Sequence, residues 1–265
     1  MSRLASTFAK CKAESRAALI GYLPSGYPNL QASIDSCVAM IESGCDIVEV
    51  GIAYSDPVMD GPTIQAAAQQ ALEQGTRTTD VLHVVEQVAL TGASVVVMTY
   101  WNPVERYGVE RFATDLASAG GCGLITPDLV PDEAGEWITA ADAHGLDKVF
   151  LVAPSSTDER IKLTTDASRG FVYATAVMGV TGAREATSDL AGPLVARTKA
   201  VTDLPVGVGL GVSTGDQAAE VAAFADGVIV GSAFVRRLLD APDRSSGLAA
   251  LAGLTRDLAE GVRRA

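Results

Sequence analysis

Glu49 and Asp60 share the stretch 48–65, VEVGIAYSDPVMDGPTIQ, and their surroundings differ. Glu49 interrupts an apolar, β-branched run, Asp46-Ile47-Val48-Glu49-Val50, which reads as a strand ended by Gly51. A carboxylate inside such a strand loses hydration without automatic compensation. That favours its neutral form and suits proton transfer near neutrality. Asp60 follows on the loop, after the turn Ser55-Asp56-Pro57 and just before Gly61-Pro62. Two carboxyls in unlike environments at the carboxyl end of one strand can divide acid and base work. Plainer readings stand beside these: Glu49 as a buried acid satisfied by backbone donors, and Asp60 as the cap of a helix expected over 63–74.

The units around this pair recur along the chain. Strands are expected at 17–22, 47–50, 94–99, 123–126, 148–152, 170–174, 205–208 and 227–230. They are short continuous apolar runs, as in parallel sheets covered by helices. Between them the periodicity predicts helices, including 30–43, 109–119, 132–144 and 194–202, with Thr79 capping a helix that runs to about Leu90. Tyr100-Trp101-Asn102-Pro103 reads as a loop, residues 4–13 as an extra N-terminal helix, and 248–264 as a closing one. Eight strand–helix units in 265 residues fit an α/β fold of the (β/α)8 TIM-barrel type, with residues 1–265 as a single domain. A doubly wound sheet is the structural alternative, but no GxGxxG follows the first strand.

A TIM barrel carries its site at the carboxyl ends of its strands. The polar residues there are Tyr22, Glu49, Asp60, Asn102, Asp128, Ser155, Tyr173, Thr181, Ser213 and Ser232. Tyr173 alternates with Phe171, so it also fits as an aromatic filling the barrel. Both histidines, His83 and His144, fall on helices, which leaves His-based nucleophilic catalysis and a metal centre without support. Gly182, Gly209, Gly211 and Gly231-Ser232 cluster after the last three strands, where backbone N–H groups can hold phosphate. Tight turns alone would also explain those glycines. The long small-residue stretch 176–189 suits a mobile lid.

Composition narrows the class. Hydrophobic residues are 48% and charged residues 20%, which allows a sizeable core, and the net charge of −12 argues against nucleic acid or an anionic membrane as partner. The cysteines, Cys11, Cys37, Cys45 and Cys122, form no CxxC pair and read as reduced and buried. The first residues lack the apolar core of a signal peptide, and no apolar run spans a bilayer, so a cytoplasmic location is expected.

VEVGIAYSDPVMDGPTIQ, GVTGA, VGVGLGVS and VGSAFV, in that order and spacing, resemble the tryptophan synthase α subunit family, and the resemblance runs from Gly21-Tyr22 to the last helix. It implies retro-aldol cleavage of indole-3-glycerol phosphate into indole and glyceraldehyde 3-phosphate. In that reading Glu49 is the acid/base that protonates indole C3 and helps deprotonate the glycerol hydroxyl, and Asp60 meets the indole N–H as positive charge develops. Tyr173 becomes an auxiliary active-site tyrosine, and Thr181 lies on the closing loop within reach of Asp60. Gly182, Gly211, Gly231 and Ser232 match the phosphate site, and Tyr22 stands beside the indole where the family often has Phe. The resemblance implies no cofactor for this chain; pyridoxal phosphate belongs to a partner β subunit in an α2β2 complex, with Ser55-Asp56-Pro57 and Asn102-Pro103 near the interface. Ala53 stands where the family usually has Pro, and Tyr54 where it usually has Phe. A stand-alone lyase and a silent phosphate-binding subunit are the competing readings; retention of both Glu49 and Asp60 weighs against the second.

Overall fold

The structure, a computed structural model, describes residues 2–175 and 188–264. Strands rich in Val, Ile and Gly alternate with helices throughout. Helix α1 (Arg3–Ala13) precedes β1 (Ala18–Pro24), α2 (Leu30–Glu42), β2 (Ile47–Gly51), α3 (Pro62–Glu73), α4 (Thr78–Ala89) and β3 (Ser94–Met98). Then come α5 (Trp101–Tyr107), α6 (Val109–Ser118), β4 (Gly123–Ile125), α7 (Gly135–Ala143), β5 (Asp147–Val149), β6 (Leu151–Val152), α8 (Asp158–Ala167) and β7 (Val172–Thr175). The chain closes with α9 (Ser188–Lys199), β8 (Val206–Gly209), α10 (Gly215–Ala222), β9 (Gly227–Val230), α11 (Ser232–Leu239) and α12 (Arg244–Gly261).

All the ladders are parallel, in the order β5-β4-β3-β2-β1-β9-β8-β7-β6. Only Phe150 separates β5 from β6, and its carbonyl accepts the Tyr173 N–H at 3.1 Å. The two segments are therefore one stave, paired to β4 on one edge and β7 on the other, and the ring closes as the (β/α)8 barrel expected.

Side chains alternate between two cores. Ile20, Ile47, Val96, Ile125, Val149, Phe171 and Ile229 fill the barrel, and Leu4, Phe8 and Cys11 of α1 pack beneath them. Leu19, Val48, Val50, Val95, Val97 and Val208 turn outward to the helices. A period of two on strands buried on both faces gives this division. It also sets Glu49 in line with Ile47, facing inward.

Four local expectations are corrected. Residues 100–103 do not form a loop: α5 begins at Trp101, whose N–H is accepted by both Asp128 carboxylate oxygens at 2.9 and 3.1 Å. Pro103 falls in the first turn of that helix, where a missing N–H costs nothing. Helix α9 starts at Ser188 and runs through Pro193, held by buried Ala191, Leu194 and Val195. The segment expected as helix 132–144 is a 3-10 turn, Pro131–Glu133, followed by α7. Helix α4 has Arg77, not Thr79, at its N-cap, and the Asp80 carboxylate accepts the Arg77 N–H at 2.8 Å.

Candidate active site

Glu49 is the middle residue of β2 and is fully buried. Neither carboxylate oxygen has a hydrogen-bond partner among the described residues. The reading of Glu49 as an acid satisfied by backbone donors therefore fails within those residues. Unpaired burial pushes its pKa up to about 8, which leaves it protonated at neutral pH.

Asp60 is partly buried on the loop before α3. It is not the cap of that helix: Gly61 holds the N-cap position and no side chain caps it, while the Asp60 backbone carbonyl accepts the Gln65 amide at 2.7 Å. Burial raises the Asp60 pKa, and a hydrogen bond from Tyr100 works against that rise. The two carboxyls thus have unlike environments, as their sequence positions suggested.

Tyr22 brings them to one spot. It is the register partner of Glu49 across the β1–β2 ladder. Its phenol is held well above the usual tyrosine range by burial first, then by Asp60, Tyr100, Glu49 and Tyr173. Tyr173, from β7, has its hydroxyl pushed up by burial and by Glu49. Glycines make room for both rings. A Cβ on Gly51 would lie 2.4 Å from the Tyr22 hydroxyl, and one on Gly209 would lie 2.6 Å from the Tyr173 hydroxyl. Gly209, which the sequence grouped with the phosphate loop, thus gives its space to Tyr173.

The turns that the sequence assigns to phosphate are described in part. Gly211 takes φ +71°, a left-handed conformation that suits glycine. Gly231 is the N-cap of α11 and Ser232 its first residue; no side chain caps that helix. The Phe234 N–H is taken by the Gly231 carbonyl at 2.9 Å, so what this helix offers an anion is its dipole and the N–H groups of Ser232 and Ala233. Thr181 and Gly182, with most of the stretch read as a lid, lie outside the described residues.

Other strand-end polar groups have structural roles. Asp128 anchors α5, as above. Ser213 N–H and Oγ lie 2.8 and 3.0 Å from Gln217 Oε1. His83 and His144 pair with Glu86 and Glu110 at 3.3 and 2.7 Å. Among the described residues no cluster of His, Cys, Asp or Glu is arranged to hold a metal ion. One residue was missed by sequence: Tyr100, 5% exposed, contacts the Asp60 carboxylate and accepts the Met59 N–H at 3.0 Å.

A parallel barrel that turns two carboxyls in unlike environments toward one phenol, beside a helix N-terminus, belongs to the TIM-barrel acid–base enzymes. The family profile described as tryptophan synthase alpha chain matches residues 8–263. The tryptophan synthase alpha chain of Nocardia farcinica is 63% identical over 264 residues, covering 100% of this chain and 97% of the relative. The Mycobacterium marinum alpha chain is 62% identical, covering 99% and 95%. Among solved structures, Mycobacterium tuberculosis tryptophan synthase superposes with a TM-score of 0.94 at 59% identity, covering 99% of this chain and 98% of the other. The Legionella pneumophila alpha subunit superposes at 0.90 with 32% identity, covering 99% and 98%. The chain belongs to the tryptophan synthase alpha chain family, carbon–carbon lyases that cleave indole-3-glycerol phosphate in tryptophan biosynthesis.

Proposed function

We propose that Glu49 and Asp60 carry the cleavage of indole-3-glycerol phosphate to indole and glyceraldehyde 3-phosphate, with Tyr173 as auxiliary. The observation that carries this reading is the buried, unpaired Glu49 carboxyl, protonated near neutrality beside Tyr22. In the first step Glu49 gives its proton to indole C3. The positive charge that develops on the ring is met at the indole N–H by the Asp60 carboxylate. Glu49, now ionised, then takes the proton of the glycerol hydroxyl. The bond from C3 to the glycerol carbon breaks, and its electron pair restores the indole while the carbonyl of the aldehyde forms. The proton given in the first step is recovered in the second, so the enzyme ends as it began. Tyr22 lies against the indole. The family resemblance assigns Thr181 to Asp60, and assigns Gly182, Gly211, Gly231 and Ser232 to the phosphate, held by backbone amides and one hydroxyl.

The whole chain, residues 1–265, acts as one barrel domain and uses no cofactor of its own. Its partner is the tryptophan synthase β subunit, where pyridoxal phosphate resides, in an α2β2 complex. A groove of about 470 Å3 beside Tyr54, Asp56, Asn102 and Pro103, with Val58 69% exposed nearby, supports docking on that side. No described helix is long and apolar enough to cross a membrane, and a cytoplasmic location is part of this reading.

The test is to incubate the pure chain with indole-3-glycerol phosphate, with and without a β subunit, and measure indole. Indole that appears slowly alone and much faster with the β subunit is the expected result. No indole under either condition would reject the reading.

A further inference from the structure

Tyr100 is fixed from both sides. The strand before it ends with the Thr99 N–H on the Ile125 carbonyl at 3.2 Å, and the helix after it starts on Asp128. The Tyr100 ring packs on Tyr54, with centroids 5.4 Å apart and planes at 37°, and the Asn102 amide donates to the Tyr54 hydroxyl at 2.9 Å. A buried, doubly braced phenol is thereby aimed at the Met59–Asp60 segment, a loop that has no helix or strand of its own.

We propose that Tyr100 is the positioning residue for Asp60. Its hydroxyl oxygen accepts the Met59 N–H and its proton goes to the Asp60 carboxylate, so one group fixes the loop backbone and the side chain that the loop carries. This rests on the reading of Asp60 given above. The same bond favours the ionised carboxylate against the burial that opposes it. The titratable groups facing Asp60 among the described residues are the phenols of Tyr22 and Tyr100, and both stay neutral in the working range, Tyr100 because burial pushes it up to about 12.

The test is Tyr100→Phe, which keeps the ring against Tyr54 and removes only the hydroxyl, assayed in complex with the β subunit. Its kcat/KM should fall by about 10- to 100-fold, the size of a lost hydrogen bond to a charged group. The acid limb of its pH profile, set by Asp60, should move to higher pH, because a supporter of the ionised form is gone. The alkaline limb, set by Glu49, should stay. In an Asp60→Asn background the same substitution should cost little more, as coupled groups require. Unchanged kcat/KM in Tyr100→Phe alongside a damaged Asp60→Asn overturns this proposal alone. So does a Tyr100→Phe loss that persists in full in the Asp60→Asn background. Full activity in Asp60→Asn itself overturns the underlying reading, and this one with it.

Discussion

Tyr22 and Glu49 oppose each other across the β1–β2 ladder, a phenol and a carboxyl that both stay un-ionised at neutral pH. The strand side of the barrel mouth therefore carries a proton at Glu49, while on the loop burial and the Tyr100 hydrogen bond pull Asp60 in opposite directions. For Glu49→Gln we expect indole formation to fall by roughly 10²–10⁴-fold, the usual cost of removing a catalytic acid/base. Binding of glyceraldehyde 3-phosphate, followed by calorimetry, should survive. Near-normal turnover in this variant would remove Glu49 from the proton transfers.

The same carboxyl makes stability depend on pH. Folded Glu49 keeps its proton up to about 8, whereas the unfolded chain releases it near 4.5. Between those values the native state binds more protons, so stability contributed at this site falls as pH rises through the window. Glu49→Gln should then melt close to the parent at pH 4.5 and above it at pH 9, by a margin on the order of a few kcal/mol. Parallel melting curves at both pH values would show that Glu49 titrates normally.

Asp60→Asn separates catalysis from capping. Loss of an Asp cap costs about 0.5–2 kcal/mol of stability, but Gly61 occupies the cap position here. We expect kcat/KM to drop heavily while the melting temperature holds or rises. A lower melting temperature with intact kcat/KM would return Asp60 to a structural role.

The phosphate end is tested by adding carbon. Gly211→Val places a β-branched side chain at φ +71° and in the path of the phosphate, so KM should rise more than kcat falls. Gly231→Ala puts a Cβ 3.3 Å from Tyr22 Cδ1, and a smaller rise in KM is expected, since the ring must yield. Unaltered KM in both variants would take phosphate binding away from these turns.

The barrel was legible because its strands are continuous apolar runs and Glu49 breaks one of them. An acid in such a run is conspicuous, and burial on both faces is what makes it so. Asp60 was ambiguous in sequence, since Asp before Gly-Pro is equally a cap; only the Gly61 geometry separates the two. Tyr100 was invisible for another reason. Its partner, Met59, lies far away along the chain, and an aromatic opening Tyr100-Trp101-Asn102-Pro103 reads as part of a loop with no partner in view. Helices α5 and α9 were misjudged at Pro103 and Pro193, where Asp128 and a buried apolar face outweigh the local signal.

Helix α1 makes the barrel a blind alley. Leu4 and Phe8 stop its lower end, with Phe8 resting 5.5 Å from Phe171. Whatever is formed beside Glu49 meets a closed floor, so its way out is at the opposite end, the rim that carries Tyr54 on its loop and Asn102 on α5. A neighbour seated on the groove at that rim, beside Tyr54 and Asn102, would stand closer to the product than a neighbour at the sealed end.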